Sequence, residues 1–265
     1  MRAPLPAPLR RSPPVVRLVT RLAGSIIGVL TDEPVFGLTF DDGPDPENTP
    51  SVLSCLAERR ANATFFLLGR QAAKHPALVA EVLAAGHEVA LHGGDHFDLT
   101  QSNPARVVDA VHRARGRLEE LAGRSVRWFR PPYGAQGPLA YTVARLSGMQ
   151  VVGWSASSRD SLALDENRQV AIAYEELGTG GILLMHDGPP PAPKRRTRMV
   201  ARVLDVAEQR GWQATSVEQL LSGRERVLRP WFQGRLRTLT EALGPFAVAS
   251  EAEGNPEHFA LEGPA

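Results

Sequence analysis

Two adjacent carboxylates, Asp41 and Asp42, stand in the run Thr39-Phe-Asp-Asp-Gly-Pro44, directly after an apolar segment. Neighbouring residues on a strand point to opposite faces, so both can serve one cleft only if the chain leaves the strand there. Gly43-Pro44 supplies that departure. Two such carboxylates also repel, which raises one pKa unless a cation lies between them. A metal on one and an arginine on the other would keep both ionised, and Arg130 is the candidate arginine. The plain alternative is an Asp-rich turn that caps the next helix. Further along, His92-Gly-Gly-Asp-His96 puts two imidazoles four residues apart with two glycines between them. Two histidines and one aspartate leave coordination positions open, the layout of a catalytic rather than a structural zinc site. Two solvated loop histidines are the alternative here. Asp95 competes with Asp42 as the carboxylate ligand, although hydrogen bonding within the loop suits it better.

Two more clusters have chemical content. Arg130-Pro-Pro-Tyr-Gly134 is a proline-stiffened turn whose N–H groups can be aimed at a developing oxyanion. His186 follows a very apolar run. Alone it reads as a buried histidine satisfied by backbone, whereas beside Asp160 it becomes a charged general acid, because a nearby carboxylate raises its pKa.

What must position these groups is a repeated alternation of strand-like and helix-like segments between about residues 35 and 220. The strand candidates are 35–40, 63–68, 87–91, 126–130, 150–154, 181–186 and a weak 212–217, mostly short and rich in β-branched or aromatic residues. The helix candidates are 49–60, 76–85 ending at Gly86, 103–121 opening on Asn-Pro, and 194–210 ending at Gly211. Such alternation argues for a parallel sheet, and about seven repeats favour a barrel over an open sheet. In a parallel barrel, catalytic groups gather at the C-terminal strand ends. Each reactive cluster here follows a strand, so five clusters converge on one face.

The rest of the chain restricts the reading. With 265 residues, 43% of them hydrophobic, it can build one substantial core. A formal net charge of +1 demands neither nucleic acid nor a strongly charged partner. The single cysteine, Cys55, can form no internal disulfide and lies in an apolar helical pattern. Residues 1–34 read as a proline-rich leader feeding a first strand. Their apolar stretch Leu22–Leu30 resembles a signal peptide only loosely and is too short to span a bilayer, so a cytoplasmic location is favoured and no transmembrane segment is expected. Residues 35–221 form the expected catalytic domain. In residues 222–265 the alternation stops: Arg224 to Arg237 holds five arginines and reads as a terminal helix packed on its own domain, or as a partner-binding or membrane-surface helix, although Pro230 and Gly234 weaken a continuous one; an acidic tail expected to be disordered follows.

Taken together, the clusters resemble the polysaccharide deacetylase family, also called NodB-homology domains or carbohydrate esterase family four, over roughly Val35 to Leu221. The resemblance implies an α/β fold, a distorted (β/α)7 barrel holding a divalent metal, commonly zinc, and an acetylated carbohydrate as substrate. Carried over by position, Asp42, His92 and His96 are the ligands and Asp41 the general base. Arg130 orients Asp41, the Tyr133 N–H helps hold the oxyanion, and His186 is the general acid tuned by Asp160. Pro131, Tyr133 and Leu184 line the substrate pocket, Leu184 against the acetyl methyl. Two positions depart from the pattern. Gly93 replaces a usual Ser or Thr, which puts the rigidity of the histidine loop in question, and Ser161 replaces a usual Trp, which opens the acetyl pocket or leaves another side chain to close it. Hydrolysis of another carbon–nitrogen bond in a small amide or ureide is the second expectation. A non-catalytic glycan-binding module is the third. Nothing in the sequence addresses oligomeric state.

Overall fold

The computed structural model describes residues 23–230, apart from 163 and 190–192. Ten strands are present among them: β1 (Gly24–Val29), β2 (Val35–Asp41), β3 (Thr64–Leu67), β4 (Glu88–Leu91), β5 (Trp128–Phe129), β6 (Gln150–Val151), β7 (Ala156–Ser157), β8 (Ile182–His186), β9 (Gln213–Thr215) and β10 (Arg226–Pro230). The helices are α1 (Asn48–Glu58), α2 (Gly69–Lys74), α3 (Pro76–Ala84), α4 (Pro104–Val108), α5 (Ala114–Ala122), α6 (Pro138–Leu146), α7 (Glu166–Glu176), α8 (Pro193–Gln209) and α9 (Val217–Leu221). A π-helical turn, Asp109–Arg113, joins α4 to α5, and Asn103 caps α4 through the Arg106 N–H at 2.9 Å.

The main sheet is parallel and curls through the order β6-β5-β4-β3-β2-β8-β7, with β9 added at the start of β2. This is the distorted (β/α)7 barrel expected, open between its two edges. Its strands are apolar on both faces because both are covered. One set, including Phe36, Leu38, Phe40, Phe65 and Leu91, packs beneath the helices. The other set, Phe66, Ala90, Trp128, Val152 and Ile182, points inward. Ile26 and Val29 of β1 and Val217, Leu220 and Leu221 of α9 join that inner cluster and fill the lower barrel. Each fully buried side chain of this size contributes about 1.5–3 kcal/mol.

One sequence expectation changes. The Arg-rich segment beginning at Arg224 is a strand, not a helix, over Arg226–Pro230, and it pairs antiparallel with β1. Pro230 and the β-branched Val227 suit an edge strand better than a helix interior. The rest of that segment, the acidic tail and the leader before residue 23 lie outside the described residues. The apolar stretch that loosely resembled a signal peptide supplies β1, which bridges to Val152 on one side and Gly181 on the other. It therefore stands between the β6 edge of the sheet and the residue that precedes β8. Among the described residues no helix is long and apolar enough to cross a membrane.

The floor of the barrel is tied by one carboxylate. Glu88 accepts from Thr64 Oγ1 at 2.6 Å, Trp128 Nε1 at 2.5 Å and the Glu218 N–H at 3.1 Å. These bonds fix the base of β3, β4 and β5 to α9, away from the strand ends where the reactive clusters lie.

Candidate active site

The upper strand ends bring the clusters together. β2 and β8 pair so that Asp41 stands beside His186 and Thr39 beside Leu184. His92 and Arg130 follow β4 and β5 directly. The puzzle of the adjacent carboxylates is solved by the backbone of Asp42, whose φ of 77° lies in the left-handed region and turns its side chain back toward the cleft. Non-glycine residues rarely adopt this conformation, which costs about 1–2 kcal/mol. Tyr133 (φ 58°) and Arg159 (φ 53°) share it beside the same site. Strain of this kind concentrates where function fixes the backbone.

Asp42, His92 and His96 each present one ligand atom, all within 4.8 Å of one another. Asp42 Oδ1 is 3.3 Å from both His92 Nε2 and His96 Nε2, yet it is buried without a hydrogen-bond partner among the described residues. A desolvated carboxylate oxygen facing two imidazole nitrogens fits a cation held between them. The outer nitrogen of His92, Nδ1, donates to the Arg130 carbonyl at 2.9 Å, which leaves Nε2 as the lone-pair face. Burial lowers the pKa of His96, again favouring the neutral, ligating form. Asp95 takes no part in the triad, because it pairs with Arg70 at 2.7 Å.

The loop between the histidines is rigid without the hydroxyl that Gly93 lacks. Gly93 has φ 100°, a conformation that disfavours Ser or Thr. Its carbonyl accepts from the Gly69 N–H at 2.8 Å, and that of Gly94 accepts from Arg70 at 2.9 Å. With the Arg70–Asp95 pair, these bonds tie the loop to the start of α2.

Two buried arginines each hold one carboxylate. Arg130 is fully buried. Its Nη1 donates to Asp41 Oδ1 at 2.6 Å and to Thr39 Oγ1 at 2.9 Å. Its Nε and Nη2 donate to the carbonyls of Val152 and Gly153, and the guanidinium lies 4.1 Å over the Phe66 ring. Asp41 Oδ2 stands 3.7 Å from His92 Nε2. On the other side, Asp160 Oδ1 bonds His186 Nδ1 at 2.8 Å, and its Oδ2 accepts from the His186 N–H at 3.0 Å and from Arg196 at 2.6 Å. Burial alone would discharge His186. The charge and hydrogen bond of Asp160 outweigh it and push the pKa up to about 9. Burial would likewise raise Asp160, but His186 and Arg196 hold it below the usual carboxylate range.

The turn after β5 places Tyr133 edge-on to the His96 ring, centroids 4.3 Å apart, and more than half exposed. Pro131 and Pro132 before it are buried, as is Leu184. Gly134 packs so closely on Trp154 that an added Cβ would lie 2.7 Å from the ring. Ser161 is exposed and does not replace an aromatic wall.

Three supporting residues escape the sequence reading. Thr39 opens the Asp-Asp motif, but its residue type does not reveal that it shares Arg130 with Asp41. Trp154 reads as one more apolar strand residue. Arg196 does carry a signal: it sits on the stripe Arg196, Met199, Val200, Val203 and Ala207, all buried, so it is an arginine at a core position of α8.

Comparison with known proteins agrees with this geometry. A family model described as polysaccharide deacetylase matches residues 29–152, which include the triad, Asp41, Arg130 and Tyr133. A chitooligosaccharide deacetylase of Bradyrhizobium sp. (strain ANU 289) is 34% identical over 194 residues, covering 69% of this chain and 89% of the relative. The chain belongs to the polysaccharide deacetylase family. A second family member, the peptidoglycan-N-acetylglucosamine deacetylase of Bacillus cereus, is 30% identical over 73% of this chain and 91% of its own. Among solved structures, a family 4 carbohydrate esterase from Streptomyces lividans superposes with a TM-score of 0.64 at 29% identity, covering 76% of this chain and 98% of that one. The family match stops before Asp160 and His186, so the acid side of the site rests on the geometry described above.

Proposed function

We propose that this chain is a metal-dependent deacetylase that removes the acetyl group from an N-acetylated amino sugar, alone or within a glycan, with zinc as the ion. The observation that carries this reading is the meeting, beside the Asp42–His92–His96 triad, of a carboxylate fixed by an arginine and an imidazole fixed by a carboxylate. Relatives named for chitooligosaccharide and peptidoglycan N-acetylglucosamine substrates support the acetylated sugar.

Asp42, His92 and His96 would hold a divalent ion, which would supply polarisation of the acetyl carbonyl and of the attacking water. The chain's own residues do the rest. Asp41, held by Arg130 through one oxygen, takes the proton of the attacking water with the other. The Tyr133 N–H, set in its left-handed turn, donates to the oxygen that gains charge as the carbonyl carbon becomes tetrahedral. His186 carries its proton on the ring nitrogen away from Asp160 and delivers it to the departing amine. The C–N bond breaks, acetate and a free amine leave, and Leu184 lines the space for the methyl.

The test is acetate release from N-acetylglucosamine oligomers, peptidoglycan and acetylated small molecules, with and without chelator. Release from the sugars that chelator abolishes and added zinc restores is the expected result. Tight sugar binding without acetate would make the chain a glycan-binding module. Turnover confined to small amides would overturn the substrate.

A further inference from the structure

We infer that Arg196 is a positioning residue for the proton-donating arm: it fixes Asp160 so that His186 is held with its proton toward the leaving nitrogen. This inference rests on the deacetylase reading and on His186 as the proton donor.

The geometry is specific. Arg196 lies in the first turns of α8, only 2% exposed, among apolar neighbours that would normally exclude a guanidinium. One nitrogen donates to Asp160 Oδ2 at 2.6 Å and another to the Gly188 carbonyl at 2.6 Å. It thereby joins the segment after β7, which carries Asp160, to the segment after β8, which follows His186. Asp160 spends both oxygens on His186, one on its ring and one on its backbone N–H. A carboxylate with two such bonds can still tilt about its own axis, and the third bond, from Arg196, removes that freedom. The ring orientation of His186 is then set from its Nδ1 side, as an outer partner sets a histidine ligand.

Stability alone gives a poor account of this arginine. A buried ion pair often contributes no more than a well-packed apolar pair of the same volume, and α8 already buries Met199, Val200, Val203 and Leu204. What an apolar residue at 196 could not do is hold a carboxylate that holds the proton donor. Lysine could supply the charge but not the two-pronged reach to Asp160 and Gly188.

The test uses the chemistry of the leaving group. An amine leaves an amide only with a proton, so the acid arm matters for an N-acetyl sugar. A 4-nitrophenolate leaves without one, so the acid arm matters little for 4-nitrophenyl acetate. Arg196→Gln is expected to lower kcat on an N-acetylglucosamine oligomer by about a hundredfold, with KM nearly unchanged, and kcat on the aryl ester by about threefold at most. Arg196→Lys should fall between wild type and Arg196→Gln on the amide alone. Equal losses on both substrates, or none on the amide, would overturn the inference. If Arg196→Gln does not fold, the lysine variant decides by the same ratio. His186→Ala, measured alongside, separates the two layers. A selective amide loss in His186→Ala without one in the Arg196 variants sinks only Arg196; no selective loss in His186→Ala sinks the proton-donor assignment itself.

Discussion

The two sides of the site are built from the same parts and end differently. On one side Arg130 holds Asp41, and the carboxylate faces the triad directly. On the other, Arg196 holds Asp160, but His186 stands between that carboxylate and the cleft. An arginine–carboxylate pair alone therefore presents a proton acceptor. The same pair capped by an imidazole presents a proton that stays on at neutral pH. Different surroundings for similar pairs let one fold carry out acid and base chemistry together.

The largest effect should come from removing what both sides share. Asp42→Ala deletes the oxygen that faces both imidazoles. Metal measured after desalting should fall well below one ion per chain, and turnover of amide and aryl ester should vanish together. A variant that kept full metal content would break the triad assignment.

Next comes the base side alone. Asp41→Asn should keep metal content but lower kcat by about 10²–10⁴-fold, on the amide and the aryl ester alike. That indifference to leaving group is the opposite of the behaviour expected for the acid side. Retained turnover would mean that the proton goes elsewhere.

How much of this comparison the sequence revealed differs between the two sides. Asp41, Asp42, His92, His96 and Arg130 sit in short motifs at strand ends, where spacing and residue type point to chemistry. The acid side was half legible. Nothing in the spacing joins His186 to Asp160; the β7–β8 pairing brings them together. Arg196 was hidden by a helix whose arginines look alike in one dimension. Only its place on the apolar stripe separates it from Arg195 and Arg198. The fold followed the same rule. Long strands and the helices α1, α3, α4 and α8 are readable, whereas α7, despite its Asp165 cap, and the short α9 are not. Nor are the two-residue strand β7 and the β1–β10 pair, because their pairing partners lie far away in the chain.

A pH profile sharpens the comparison further. With its pKa raised to about 9, His186 is protonated at neutral pH and loses its proton as pH climbs through that value. The amide rate should therefore fall on the alkaline side near pH 9, and the aryl ester rate should lack that fall. Asp160→Asn removes the charge that raises His186, so the alkaline limb should move toward lower pH. An unmoved limb would assign it to another group.

A smaller effect is expected where the oxyanion turn is supported. Gly134 has φ 64° and packs against Trp154, so Gly134→Ala must shift the backbone that carries the Tyr133 N–H. Losing an oxyanion donor outright costs about 10²–10³ in kcat, and displacing one should cost about tenfold, equally for amide and ester. A loss in KM alone would instead make this turn a substrate-binding element.

The smallest effect concerns a buried imidazole with no carboxylate behind it. His87 lies at the foot of β4 against Phe65, ring centroids 5.5 Å apart, and its Nδ1 has no hydrogen-bond partner among the described residues. Burial pushes its pKa down to about 4, the reverse of His186. In the unfolded chain an ordinary histidine takes up its proton near 6.5, so between about 6.5 and 4 the unfolded state binds more protons and stability falls. His87 thus favours the fold fully above about 6.5 and progressively less as pH drops toward 4. His87→Leu should flatten this stretch of the curve, read as urea midpoints at pH 7 and pH 5, and leave kcat at pH 8 unchanged. If the variant lost stability equally at both pH values, packing rather than protonation would explain His87. The contrast with His186 would then rest on the acid arm alone.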